Sequence, residues 1–290
     1  MRAAGRVAAT LLLVGSGVVP VAAGLTIVVT PERPAPGDIV LLRVEGAPPD
    51  LGGEWQGTPL RFFPMGTALA ALVGVDLDVE PGRLPWLLTR PAGRGRVVVG
   101  KGAVTVGPRT FETQHLTLPP GQVDLDPASL ARVRAERAEL EAALASSAPE
   151  RLWRGPFAVP VEGGRPTGGF GLRRVINGQR RSPHAGYDWA APRGTPVLAA
   201  NAGRVALVAE HFFSGRLVVL DHGLGLFTHY YHLDETQVTA GASVPRGQPI
   251  GTVGATGRAT GPHLHLGVTL GGARVDPLAL LGLTLPPERP

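Results

Sequence analysis

The chain has 290 residues, 43% of them hydrophobic and 18% charged, with 41 Gly and 29 Pro; this excludes a chain disordered throughout and points to a turn-rich β protein of one large or two ordinary domains. The formal charge is only +5, and Lys101 is the single lysine among 28 basic residues, too diffuse a charge to indicate a nucleic-acid partner, though an anionic polymer would be tolerated. Cysteine is absent, which excludes disulfides, thiolate metal sites and cysteine-linked lipid, so a metal would have to be held by His, Asp or Glu.

In chain order, residues 1–23 read as a secretory leader: Arg2 and Arg6, an apolar run from Val7 to Val19, then Ala22 and Ala23 at the expected cleavage point. The competing reading is an uncleaved anchor, against which Gly15, Gly17 and Pro20 shorten and weaken any spanning helix. The expectation is an exported protein, periplasmic or extracellular, with no stable membrane insertion once the leader is removed. From 24 to 108, stretches such as LTIVVTPERPAPGDIVLLRVEG and RVVVGKGAVTVG alternate short β-branched runs with Pro and Gly turns, the pattern of a small β-sandwich. Trp55, Trp86, Phe62 and Phe63 are read there as core or edge residues rather than as a carbohydrate-binding set.

Residues 109–155 change character. DPASLARVRAERAELEAALASSAP has Asp126 as an N-cap, Pro127 at the first helical position, and Leu130, Val133, Leu140 and Leu144 on roughly one face, which predicts a linker helix over about 127–147. Its charges are read as a solvated face, with Glu139 near Arg132 and Arg134 to no particular purpose. From Pro156 onward the chain is dense in glycine and short strands, RVALVAE, LVVLDHG, FTHYYHL and VTAGASVPRGQPIGTVG. One compact antiparallel β domain is expected over 156–285, with a loose tail at 286–290. The expected fold class is thus mainly β: sandwich, linker helix, then an antiparallel sheet.

Seven of the eight histidines fall between 184 and 265. In GPHLHLGV, strand alternation puts His263 and His265 on one face with Leu264 turned to the core. Two such imidazoles can be mere exposed strand residues. In SPHAGYDWA, however, His184 and Asp188 lie four apart around Gly186, a spacing that lets a loop bring both to one point, and either member of the later pair would complete a His, Asp, His set. Zinc accepts that set, and three protein ligands leave a fourth tetrahedral position for water, whose pKa falls toward ~7. A second group must then move protons or hold the oxyanion. His232 of FTHYYHL is the candidate, beside the HLH member not used for metal. Alternation puts Tyr230 on the side of His232 and sends His229 and Tyr231 the other way, so His229 is read as structural. His222 is also read as structural, Asp221 as holding its turn, and His115 and His211 as surface residues. Phe170, Arg173 and Arg174 could line a substrate groove, though packing and solvation explain them nearly as well.

HAGYDWA, DHGLGLFTHYYHL and GPHLHLGV, in this order, resemble the lysostaphin-like, or LytM-type, zinc endopeptidases of bacterial cell walls. The resemblance covers about residues 166–278, including GGFGLRR, GTPVLAANAGRV and VDPL. It implies Zn2+ held by His184, Asp188 and His265, with His232 and His263 as the catalytic histidines, at the floor of a β-sheet groove. It further implies hydrolysis of peptide bonds in peptidoglycan stem peptides or cross-bridges, for remodelling or lysis of the wall. His229, Tyr230 and Tyr231 depart from the Leu, Tyr and Ala often found in relatives, which would alter a groove wall. Two other readings stand beside it. One is a non-catalytic relative that activates a cell-wall amidase, against which the complete set of five positions speaks. The other is a biotinyl or lipoyl carrier domain at the Gly-rich hairpin, discounted because Lys101 lies far outside it. The first domain could position the enzyme, bind a partner or cover the groove.

Overall fold

The computed structural model describes residues 17–20, 24–117 and 123–285. The expected leader therefore lies outside the described residues except for Gly17–Pro20, and the expected tail at 286–290 lies outside them entirely.

The first unit is built from nine strands: β1 (Gly17–Pro20), β2 (Thr26–Thr30), β3 (Ile39–Glu45), β4 (Gly52–Trp55), β5 (Thr58–Pro59), β6 (Phe63–Met65), β7 (Ala68–Gly74), β8 (Gly82–Ala92) and β9 (Gly95–Val106). They form two sheets, β1-β2-β3-β7-β6 and β5-β4-β8-β9, packed as a sandwich. Alternation explains the core between them: Val40, Leu42 and Val44 of β3 point inward to meet Trp55, Trp86, Leu88 and Val104 from the facing sheet. The first sheet is buried on its other face too. Ile39, Phe63, Met65, Ala70 and Leu72 join the core of the second unit, where Phe63 meets Trp153 edge to face with ring centroids 6.0 Å apart.

The second unit begins with β10 (Thr113–Leu116) and α1 (Pro127–Ala145) and continues through β11 (Arg165–Gly168), β12 (Arg173–Ile176), β13 (Gln179–Arg181), β14 (Gly186–Ala190), β15 (Pro196–Leu198), β16 (Gly203–His211), β17 (Gly215–Asp221), β18 (Leu226–Thr236), β19 (Ser243–Val244), β20 (Pro249–Val253), β21 (His263–Leu270), β22 (Ala273–Arg274) and α2 (Pro277–Leu281). The main sheet runs β11-β14-β21-β18-β17-β16-β19, with β15, β20 and β22 attached to it. Its strands are antiparallel throughout. Among the described residues no helix is long and apolar enough to cross a membrane.

Two features of the connecting region differ from the sequence reading. A short strand, β10, pairs in parallel with β12, so part of the linker belongs to the second unit. The helix α1 starts at Pro127 with Asp126 accepting from the Ala128 and Ser129 amides, as expected, and ends at Ala145. Its acidic side is not simply solvated: Glu136 accepts from the Phe212 amide at 2.9 Å, and Glu139 lies 2.9 Å from His211 Nε2. His211 is therefore a buried docking residue, because the helix covers it. Leu140 and Leu144 pack on Leu207, Leu217, Val219 and Phe227 behind it, whereas Leu130 stays exposed.

Polar clamps hold the two units together. Arg274 grips Asp76 through its backbone amide, Nε and a terminal nitrogen at 2.6–3.0 Å, and Arg109 reaches Asp276 at 2.6 Å. These contacts sit beyond the Leu270 end of β21, whereas His263 and His265 lie at its start, so the sandwich is anchored away from the histidines. Farther along, the fully buried Asp221 accepts from the Ser147 hydroxyl, the Ala148 amide and the Gly223 amide at 2.7–2.8 Å, tying the exit of α1 to the sheet. Asp221→Ala would strand these donors and is expected to cost ~3 kcal/mol of stability. Urea unfolding measures this, and a loss below ~1 kcal/mol would mean that the buried carboxylate does not pin the helix to the sheet.

Candidate metal centre and groove

The register of three adjacent strands builds the site. His265 on β21 stands directly opposite Asp188 on β14, and on its other side opposite Tyr231 on β18; His263 stands opposite Ala190. Alternation then sends Leu264 and Trp189 into the core and leaves His263, His265 and Asp188 on the open face. Space for the imidazole comes from glycine: a Cβ on Gly186 would lie 2.4 Å from His265 Nε2, and one on Gly168 would lie 2.4 Å from Asp188 Oδ2. His184 enters from the segment before β14. Its backbone is tied at both ends, accepting from the Gly171 amide and donating to Leu172.

Three atoms converge. His184 Nε2 lies 3.1 Å from Asp188 Oδ1 and 2.9 Å from His265 Nδ1, which is itself 2.8 Å from Asp188 Oδ1. The His184 tautomer follows from its other nitrogen: Nδ1 is 2.7 Å from the Gly169 carbonyl, which can only accept, so Nε2 carries the lone pair. Burial works to raise the Asp188 carboxyl, but the neighbouring His184 and His265 rings outweigh it and hold the group well below the ordinary carboxylate range. Burial pushes the His265 ring down to about 4, against the pull of Asp188. A carboxylate and two imidazoles so crowded are compatible only if a proton or a cation sits among them, and the nitrogen and oxygen donor set is one that a divalent transition metal accepts.

Two more histidines face the same groove. His263 Nδ1 donates to the Gly261 carbonyl and His232 Nδ1 to the Thr256 carbonyl, both at 2.8 Å, which leaves each Nε2 as a lone-pair atom. Their ring centroids are 4.7 Å apart, and His263 Nε2 is 3.9 Å from Asp188 Oδ1. Burial, and then the neighbouring His265 and His263, push His232 down to about 3. The groove has a volume of about 470 Å³. Gln114, Arg174 and Arg258 are among its lining residues, along with Phe213 of the β16–β17 turn.

The alternation expected through FTHYYHL breaks at His232. Its φ is +63°, and the pairing shifts between Arg216↔Leu233 and Val218↔Tyr230: two residues of β18 oppose one of β17, a β-bulge. Tyr231 and His232 consequently both line the groove. Tyr230 turns instead into the core, where its hydroxyl accepts from the Ala200 amide at 2.9 Å. Alternation alone turned Tyr231 away from His232, although its departure from the family pattern pointed to a groove wall; its ring stacks on His265 at 5.3 Å and 6°. Its hydroxyl contacts His229 Nδ1 at 3.1 Å, and His229 Nε2 is 3.1 Å from Thr269. His229 and His222 are both buried, the latter between Ala202 and Thr228. His115 is exposed. Phe170 packs on Phe111 and Arg173 pairs with Asp78, so of the proposed groove-lining trio only Arg174 reaches the groove.

The sequence and the fold have counterparts among known proteins. Residues 182–277 match the model of peptidase family M23. A crystal structure from Pseudomonas aeruginosa assigned to peptidase M23 superposes with a TM-score of 0.68 at 34% identity, over 86% of this chain and 96% of that one. The chain belongs to peptidase family M23. Among curated relatives, the peptidoglycan DD-endopeptidases ShyB and ShyA of Vibrio cholerae are 43% identical over 112 residues and 44% over 98. These matches take in 38% and 34% of this chain, but only 26% and 23% of the relatives, so the chain spans about a quarter of their length.

Four rings of this M23 site and its surroundings are held below the ordinary imidazole value of 6.5 mainly by burial: His222 and His265 to about 4, His229 and His232 to about 3. Each folded value lies below the unfolded one. As pH falls from 6.5 toward 4 the unfolded chain therefore takes up protons first, and stability that is complete above about 6.5 is lost through that window. Thermal melts in chelator are expected to be flat above pH 7 and to fall steeply below 6.5. A midpoint independent of pH between 6.5 and 4 would show that these rings are not kept neutral.

Proposed function

We propose that the chain is an exported zinc endopeptidase that hydrolyses peptide bonds in peptidoglycan stem peptides or cross-bridges. The observation that carries the reading is the convergence of His184 Nε2, Asp188 Oδ1 and His265 Nδ1 beside two further imidazoles in an open groove. Family membership and the names of the V. cholerae relatives support it.

In this reading His184, Asp188 and His265 hold the metal. Zinc supplies Lewis acidity at the scissile carbonyl and an acidified water. The chain's own residues do the rest. Gly169 fixes the His184 tautomer, and Tyr231 fixes the plane of the His265 ring by stacking on it. Burial keeps His232 neutral, and at both His232 and His263 the hydrogen bond from Nδ1 to a backbone carbonyl leaves Nε2 for the groove. Either can accept the proton released as water attacks the peptide carbon and return it to the departing amine nitrogen. Once protonated, that Nε2–H is also a donor toward the developing oxyanion. Burial of His232 keeps that ring uncharged until then.

Incubation of the zinc-loaded protein with purified peptidoglycan should release soluble peptides, and chelator should abolish that release until zinc is restored. No chelator-sensitive release would sink the proposal. His263→Ala and His232→Ala are each expected to keep one zinc per chain while kcat falls by ~10²–10⁴, whereas His265→Ala should lose the metal. The rival reading, a non-catalytic activator of an amidase, predicts instead that stimulation survives His265→Ala.

A further inference from the structure

The groove carries more positive charge than the site itself explains. Arg174 lies on β12 directly opposite Arg181 of β13, a like-charge cross-strand pair that is unfavourable by itself. Arg181 is compensated by Asp124 at 3.2 Å and by the Val123 carbonyl and Gln179. Arg174 has no such carboxylate. Among the described residues its buried Nε lacks a hydrogen-bond partner, and the acid whose charge it feels is Asp188, already engaged by two histidines. Arg258, on the segment between β20 and β21, stacks on Phe213 at 4.1 Å. Burial, and then the charges of Arg174 and Arg181, push its guanidinium below the ordinary value. Arg174 and Arg258 both line the groove, and Asp188 is the one acidic residue among the lining residues.

A half-buried guanidinium with an unmet donor, as in Arg174, sharing a groove with a second guanidinium, Arg258, is costly unless an anion arrives with the substrate. Guanidiniums present flat forks of donors that suit a carboxylate. Building on the endopeptidase reading, we infer that Arg174 and Arg258 form a carboxylate-binding subsite, selecting peptides that carry a free carboxylate close to the scissile bond. Both are specificity residues, and neither is assigned a part in bond cleavage. The subsite lies beside Gln114 of β10, so the linker strand forms the adjoining wall.

The test uses cross-linked stem peptides released from sacculi by an amidase, prepared as free acids and after carbodiimide and ammonia conversion to amides. Calorimetry on the zinc-loaded full chain carrying His263→Ala should show the acids binding at least about tenfold more tightly than the amides, and turnover by the unaltered protein should favour the acids in kcat/KM by a similar factor. Arg174→Gln should reduce the preference to about twofold or less, and Arg174→Lys, which keeps charge but not the fork, should retain part of it. Because the acid and amide probes are compared on a protein with both arginines intact, misfolding of an arginine variant would not spare the proposal. Equal affinity for acid and amide would overturn the subsite. If neither peptide is cleaved the endopeptidase reading fails, and the calorimetric comparison still decides the subsite. If both are cleaved without preference, that reading stands and the subsite falls.

Discussion

Everything at the site depends on one electrostatic constraint: two imidazole nitrogens and a carboxylate oxygen meet within 3.1 Å of one another. No single strand could impose that. It results from β21 being an inner strand, with Asp188 fixed on one side of His265 by the β14 ladder and Tyr231 on the other by the β18 ladder. Sliding β14 or β18 by one residue against β21 would turn that strand's contribution, Asp188 or Tyr231, to the opposite face. The apolar residues between them, Leu264 and Trp189, make such a slip costly, because it would expose a fully buried leucine and a nearly buried tryptophan. The hydrophobic core therefore holds the register, and the register holds the polar cluster.

That logic also decides what could be read in advance. The face shared by His263 and His265 is a property of β21 alone, since strand alternation is strictly local, and HLH displays it directly. The meeting with Asp188 is non-local, yet the spacing of His184 and Asp188 around Gly186 hinted at it, because only a glycine there leaves room for the His265 ring. Which histidine of HLH lies against Asp188 depended on register, and no pattern of apolar residues in β14 or β21 specifies a register to one residue. Only resemblance could separate the two.

The misreadings have a common cause as well. At His232 the backbone adopts φ +63° without a glycine or asparagine to announce it. The bulge inverts the expected roles of Tyr230 and Tyr231: the first goes into the core, the second against His265. β10 is only four residues long and forms through pairing with a segment some sixty residues away, so TQHL offered no periodicity to detect. His211 appeared partnerless because its partner, Glu139, lies on a helix whose charges look solvated when viewed as a sequence. By contrast the sandwich, the helix start and the antiparallel sheet were legible, since alternation and the Asp126-Pro127 cap are local signals. What escaped was in each case a contact between distant parts of the chain.

The placement of the first unit follows from the same economy of faces. A sheet that buries both sides must be apolar on both, and β3 and β7 are: Val40 and Leu42 serve the sandwich, while Ile39, Ala70 and Leu72 serve the second core. With Arg274 and Arg109 clamping the polar edge of this contact, the sandwich is fixed beyond the far end of β21 from His263. It follows that the sandwich does not need to approach the groove in order to shape it. The chain leaving β9 carries β10 to the edge of β12, where Gln114 and Leu116 join the lining. The first unit thus anchors one end of a segment whose other end is a wall of the groove.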